Sequence, residues 1–233
     1  MLSLWQIKLA GLILPAVFFI SGFDREHMDE HIKKLESDSK ELEEIKDIEE
    51  GSEFLEKSED ASLDMDYRDW KYAKAKAETM KEESEDRFKL EWGIFLTHQA
   101  EKKDIDPELV YELLRVETGD TFDPELTGPE TKYGKAYGMA QFMKNTGPWI
   151  AKKADMPYKD SDLFNPYYAI QLSIEYLDYL HDKYENWDEA LTAYHRGVGG
   201  LESYKDKNGD AKSWYAVEIQ DNAEEQKQLL AAQ

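Results

Sequence analysis

The chain has 233 residues, enough for one folded domain with appendages, and a net charge of −22, opposite in sign to the surface that a nucleic acid requires. It contains no cysteine, which excludes disulfides, thiolate metal sites, a cysteine nucleophile and a lipid-modified N-terminal cysteine. The charge is uneven: 18 acidic and 6 basic residues lie between Asp24 and Asp66, a net of −12 concentrated ahead of the part that reads as a folded domain.

The first element is "MLSLWQIKLAGLILPAVFFISGF" (1–23). Lys8 precedes an uncharged, largely apolar run from Leu9 to Phe23, and acidic residues follow at once. Fifteen residues suit a signal-peptide core, while inclusion of Leu2 to Ile7 makes a tilted anchor with Lys8 snorkelling. No small-x-small cleavage site stands out, so a signal peptide and a retained signal-anchor are both open. The positive flank stays inside and the rest of the chain is exported, either secreted or tethered to the membrane through this segment.

Residues 24–85 read as an acidic, partly helical spacer. Ile32, Leu35, Leu42, Ile45 and Ile48 suggest a helical stripe, but a heptad drawn through them lands on Ser39, Lys46 and Glu49, so no long coiled coil is expected. "WKYAKAKAETMKEE" (70–83) is rich in helix formers and leads into the domain. From Phe88 the composition turns aromatic and aliphatic. A helix is expected with Leu90, Ile94, Phe95 and His98 or Gln99 along one side, then another over "DPELVYELLRVETGD" (106–120), with Asp106 as N-cap, Pro107 at the first helical position and Gly119 at the exit. Further helices are expected at about 141–153, 166–185 and 187–196. In 166–184, Ile170, Ile174, Leu177 and Leu180 recur at helical spacing, with Tyr168, Tyr176 and Tyr179 on the core side. Loops rich in Gly, Pro, Thr and Asn occupy 118–137 and 155–166. No run of alternating strand residues is evident, so the fold class is mainly α.

One residue of the second domain helix is out of place. At about 100° per residue, Leu109, Leu113, Val110 and Leu114 share an arc with Val116 on its edge, and Glu108, Glu112 and Arg115 take the opposite side. Glu117 projects from the middle of the apolar arc. An unpartnered carboxylate there costs several kcal/mol, so the group raises its pKa and keeps its proton, as general-acid catalysis requires. The bland alternative is a glutamate fraying outward at a helix end, paired with Arg115 or Lys132.

Two downstream boxes bear on the choice: "AYGMAQFMKNT" (136–146) and "ALTAYHRGVGG" (190–200). In this order and at these distances from the glutamate, they resemble the soluble lytic transglycosylase (SLT) domain, which is related to goose-type lysozyme. The resemblance covers about residues 88–205. It matches the family's catalytic Glu-Ser to Glu117-Thr118, its Gly-Leu-Met-Gln box to Gly138-Met139-Ala140-Gln141, its Tyr-Leu pair to Tyr176-Leu177, and its Ala-Tyr-Asn-x-Gly to Ala193-Tyr194-His195-Arg196-Gly197. It departs from the family in three ways. His195 replaces the asparagine that helps to hold the sugar or its N-acetyl group, the Glu117–Gly138 loop is longer, and the usual serine facing substrate has only Thr127 and Thr131 as candidate counterparts.

What the resemblance implies is a lysozyme-like helical catalytic domain at 86–205; residues 206–233 lie beyond it and read as a C-terminal tail, free or packed on the domain. It further implies cleavage of peptidoglycan glycan strands between N-acetylmuramic acid and N-acetylglucosamine by one carboxyl group, Glu117, acting first as acid and then as base, with a 1,6-anhydro product. Gly138, Met139, Gln141, Tyr176, Tyr194 and His195 are then the substrate-binding candidates, with Tyr194 orienting the carboxyl if its hydroxyl reaches it. A hydrolytic, goose-lysozyme-like outcome would need a second carboxylate, for which Asp120 and Asp123 are candidates. A non-catalytic glycan-binding scaffold is the rival of another class. No cofactor and no metal are expected: "DKNGD" (206–210) reads as an Asn-Gly turn and not a calcium loop, and His27 and His31 lack the context of a zinc site. The expected location is extracytoplasmic, with the acidic spacer holding the enzyme off the membrane or contacting cell-envelope machinery.

Overall fold

The computed structural model describes residues 25–57 and 65–231. The apolar segment 1–23 lies outside the described residues, and among those described no helix is long and apolar enough to cross a membrane. The chain divides between Glu53 and Phe54 into two compact units. The first is represented by helix α1 (Arg25–Lys57), 33 residues rich in Glu and Lys, with Lys46 and Glu50 one turn apart at 3.6 Å. The stripe legible in the sequence is exposed on it, including Leu35 and Leu42 at 66% and 68%.

The second unit opens with α2 (Tyr67–Glu83), started by Asp66, whose carboxylate accepts from the backbone N–H groups of Arg68 and Asp69. Trp70, Ala73, Ala77 and Met80 are buried, so this helix is part of the folded unit and not of a solvated spacer. It lies on α3 (Leu90–Glu101), and the approach is close because Gly93 has no side chain: a Cβ there would sit 2.6 Å from that of Ala77. Phe88, at the entry to α3, meets Trp92, Tyr111 and Phe122 with ring centroids 5.0–5.8 Å apart.

Helix α4 (Pro107–Thr118) begins and ends where its sequence signals put it. Asp106 accepts from the Glu108 N–H and Gly119 takes the left-handed conformation at φ +57. Leu109, Val110, Leu113 and Leu114 are in the core as the wheel requires. The opposite side is not a solvent face. Glu108 and Glu112 are 2% and 0% exposed, because α2 covers one flank and the C-terminal helix the other. Lys76 pairs with Glu108, and Arg115 with Glu112 at 2.8 Å.

A small antiparallel ladder follows: β1 (Ala136–Tyr137) pairs with β2 (Phe142–Met143), Ala136 opposite Met143. The helix expected over 141–153 is confined to α5 (Gly147–Lys153), since Gln141 adopts φ +49 and residues 142–143 are spent on the ladder. Then come a 3₁₀ turn (Asp160–Phe164), α6 (Pro166–Tyr184) capped by Asn165, α7 (Trp187–Arg196) capped by Asn186, and α8 (Val198–Asn208). Ile170, Ile174, Leu177 and Leu180 of α6 are fully buried, and Asn208-Gly209 closes α8 with Gly209 at φ +85.

The last element, α9 (Trp214–Ala231), packs on α4 and α7. Tyr215, Ala216, Ile219, Ala223 and Gln226 form its buried stripe, one residue per turn or so. The Thr192 hydroxyl, within 2.7 Å of both the Ala211 carbonyl and the Ser213 hydroxyl, ties the turn before α9 to α7. Gln226 donates to both Glu83 and Glu112, so the exposed carboxyl at the end of α2 and the buried one of α4 both meet α9 through its amide.

Candidate active site

A cleft of about 500 Å³ is walled by the end of α4, the β1–β2 ladder, and helices α6 and α7. Glu117 comes from the last turn of α4, whose exit is fixed by its neighbour: the Thr118 hydroxyl donates to the Leu114 carbonyl at 2.7 Å and accepts from the Phe122 N–H at 3.1 Å. Gly119 then turns the chain away in a conformation that residues with a Cβ rarely adopt. The carboxyl is thereby left facing the cleft, partly exposed, with no further helical turn beyond it.

Glu117 pairs with neither Arg115 nor Lys132. Arg115 is engaged by Glu112 and, at 3.6 Å, by Asp120. Glu117 accepts instead from the Tyr215 hydroxyl at 2.6 Å. Burial pushes its pKa up to about 7, and the Tyr215 hydrogen bond, which favours the charged form, pulls against that rise. Burial also raises Glu112 to about 7 and raises Glu108, but each of those has a cation on it. Among the described residues Glu117 has a neutral partner only, which sets it apart from Glu108 and Glu112.

Tyr215 sits at the start of α9, fully buried, with its own pKa pushed well above 10 by burial and by the Glu117 charge. Its ring lies flat against His195, centroids 4.6 Å apart at 14°, and Trp214 meets His195 edge-on at 5.5 Å. Burial and the adjacent Arg196 lower the His195 pKa, favouring the neutral imidazole. Tyr194 does not take the orienting role: its hydroxyl donates to the Ala140 carbonyl at 3.1 Å, and its ring packs on Phe142 and Tyr176.

The structure divides the residues expected at the site. Glu117, Gln141, Tyr176, Tyr194 and His195 all line the cleft. Gly138 and Met139 do not. Met139 is fully buried in the core, and Gly138, at φ +71, lies where a Cβ would fall 1.8 Å from the Leu163 carbonyl oxygen. Both hold the turn that presents Gln141, whose amide donates to the Gly138 carbonyl at 2.7 Å. Thr127 and Thr131 are not in the cleft wall, and the Thr131 hydroxyl is spent on the Gly134 carbonyl at 2.6 Å. Asp120 and Asp123 are also outside it. Glu117 is the one carboxylate among the described residues lining the cleft. No group of three or more potential metal ligands comes together among the described residues.

The profile of the family described as the transglycosylase SLT domain matches residues 95–217, just over half of the chain. This chain belongs to the transglycosylase SLT domain family. The match contains Glu117, the Gly138–Gln141 turn, Tyr194, His195 and also Tyr215, so the start of α9 is inside the SLT domain although the resemblance read from the sequence stopped near residue 205. Among solved structures, the fold is similar to that of an inactive mutant of the lytic transglycosylase Slt from Pseudomonas aeruginosa, with a TM-score of 0.51 at 20% identity. That likeness covers 64% of this chain and 26% of the other, so the chain matches about a quarter of the length of that enzyme. No curated protein matches.

The signal for Tyr215 was present but mute. The spacing of Tyr215, Ile219, Ala223 and Gln226 announces a helix with a buried face. Nothing in that spacing says that its first turn reaches a carboxyl group 98 residues earlier.

Proposed function

We propose that this SLT domain is a lytic transglycosylase acting on the glycan strands of peptidoglycan. The observation that carries the reading is a single carboxyl group, Glu117, held up to about pH 7 at the wall of an open cleft that no other described carboxylate lines. A protonated Glu117 donates to the oxygen joining muramic acid to glucosamine, and the bond from that oxygen to the anomeric carbon breaks. The resulting carboxylate takes the proton of the muramic 6-hydroxyl, whose oxygen closes on the anomeric carbon. The product is a 1,6-anhydro sugar, no water enters, and Glu117 ends protonated as it began. The N-acetyl group of the substrate shields the cationic centre. Tyr215 holds the carboxyl and steadies its charged form, His195 braces Tyr215, and Gln141, Tyr176 and Tyr194 form the wall against the sugars.

Hydrolysis by paired carboxylates is disfavoured by the same cleft, since neither Asp120 nor Asp123 lines it. The reading extends to location: residues 1–23 export the chain, which works outside the cytoplasm, secreted or tethered, with α1 available to envelope machinery. Mass spectrometry of muropeptides released from purified cell wall tests the chemistry. Anhydro ends resistant to borohydride, released by the native chain and absent with Glu117→Gln, are expected. Reducing ends would establish hydrolysis, and equal release by both proteins would remove Glu117 from the mechanism.

A further inference from the structure

Tyr215 is held from two directions. At its own end of α9, the Thr192 hydroxyl ties the preceding turn to α7 through Ala211 and Ser213. That tie sets Tyr215 against His195, which is also on α7. Glu117 belongs to α4, so the 2.6 Å bond from Tyr215 depends on how α9 lies along α4. Between its ends the buried stripe of α9 is small and apolar: Ala216, Ile219 and Ala223. Apolar burial is non-directional, so such a stripe holds two helices together more firmly than it fixes their register.

The register is set at the far end. Gln226 follows Tyr215 by about three turns and so returns to the same side of α9. It is buried, and its amide donates to Glu112 of α4 at 2.6 Å and to Glu83 at the end of α2. Its neighbour Lys227 pairs with Asp106, the N-cap of α4. As α9 advances from Tyr215 to Gln226 and Lys227, its partners on α4 step back from Glu117 to Glu112 and Asp106. The two helices therefore run antiparallel and are pinned at both ends. The pin at Glu112 is firm because that carboxyl is fully buried, with Arg115 on one oxygen at 2.8 Å and Gln226 on the other. Sliding α9 would leave the second oxygen without its donor and without water. The matched SLT segment, 95–217, includes Tyr215 but neither Gln226 nor Glu83, so the clasp on α4 is closed by residues beyond that segment on both sides.

We propose that Gln226, assisted by Lys227, is a positioning residue of the active site: it fixes the register of α9 along α4 and so holds the Tyr215 hydroxyl on Glu117. The inference rests on the reading of Glu117 as the acid and adds what keeps that acid oriented. The groups facing Glu117 are then placed from two helices, Tyr215 from α9 and Tyr194 and His195 from α7, and the clasp adjusts the first without moving the others.

The test first reads the bond in the substrate-free full chain. The Glu117 carboxyl is titrated by NMR, its signal assigned by its loss in Glu117→Gln. The native chain is compared with Gln226→Met, which keeps the volume and removes the donor. Glu117 in that variant is expected to titrate above the native value of about 7, by roughly half a unit to one unit, because a loosened Tyr215 bond favours the charged form less. On soluble glycan strands at about pH 6, kcat falls about threefold and KM stays within about twofold, since neither Gln226 nor Lys227 lines the cleft. Lys227→Met, at a half-exposed ion pair, moves the titration the same way by less. It decides the matter if Gln226→Met does not fold, and an unmoved titration in it would then overturn the proposal. A folded Gln226→Met with a lower Tm but an unmoved Glu117 would make the contact structural only and also overturn it, as would a downward shift or a change confined to KM. If the native chain cleaves no glycan yet the titration moves as expected, the positioning stands and the proposed chemistry fails instead.

Discussion

Replacing Tyr215 with phenylalanine removes one oxygen atom and leaves the ring stacked on His195. That oxygen donates to Glu117 at 2.6 Å from a fully buried position, so water does not readily replace it. Hydrogen bonds to charged groups are worth about 1.5–3 kcal/mol, and most of that is felt by the carboxylate and little by the acid. At 1.36 kcal/mol per unit, the Glu117 pKa should rise from about 7 by roughly one to two units. The rate should fall about tenfold as the carboxyl loses its guide, but not equally at every pH. With Glu117 as the proposed acid, the kcat/KM of the native chain should decline above about pH 7 as that proton is lost; in Tyr215→Phe the decline should move to higher pH, so the ratio of variant to native activity should climb between pH 6 and 9. The assay is kcat/KM on soluble glycan strands across that range. A limb that stays in place or moves to lower pH would refute the reasoning, because either result means that the hydroxyl does not favour the charged form.

Other expectations follow from the same geometry. Glu117 ionises near 4.5 unfolded and about 7 folded, so its contribution to stability is complete below about pH 4.5 and is lost as the pH rises through 7; Glu117→Gln should therefore exceed the native chain at pH 8 by at most about 3 kcal/mol and converge with it at pH 4, as read by thermal melts. His195→Asn restores the usual family residue but removes the ring against Tyr215, and should cost roughly two- to tenfold in kcat, whereas His195→Phe keeps the stack and most of the rate; an Asn variant as fast as native would remove the bracing role. Gly138→Ala places a methyl group against the Leu163 carbonyl at positive φ and should cost about 3 kcal/mol or more, seen as a fall of several degrees in Tm; a silent substitution would mean that the turn is not rigid.

Much of the fold was written in local chemistry. Asp106, Pro107 and Gly119 bound α4 as read, because caps act over one turn, and the buried face of α6 follows from Ile170, Ile174, Leu177 and Leu180 because helical periodicity is local. The shortening of the helix expected at 141–153 was not legible, since it depends on Phe142 and Met143 finding Ala136 and Tyr137 across a turn at positive φ. The burial of Glu108 and Glu112 was also hidden: each looks like a solvent-side residue until α2 and α9 arrive to cover it.

The site divides along the same line. The sequence alone determined that an acid occupies the apolar arc of α4 and that the boxes around Gly138 and Tyr194 place the chain with the SLT domains, because spacing along a helix and family motifs are both properties of short segments. Tertiary structure alone decided that Tyr215, and not Tyr194, bonds to that acid, that Met139 turns inward, and that no second carboxylate among the described residues enters the cleft. A pKa is set by everything within a few ångströms, and those neighbours come from helices whose meeting no local pattern encodes.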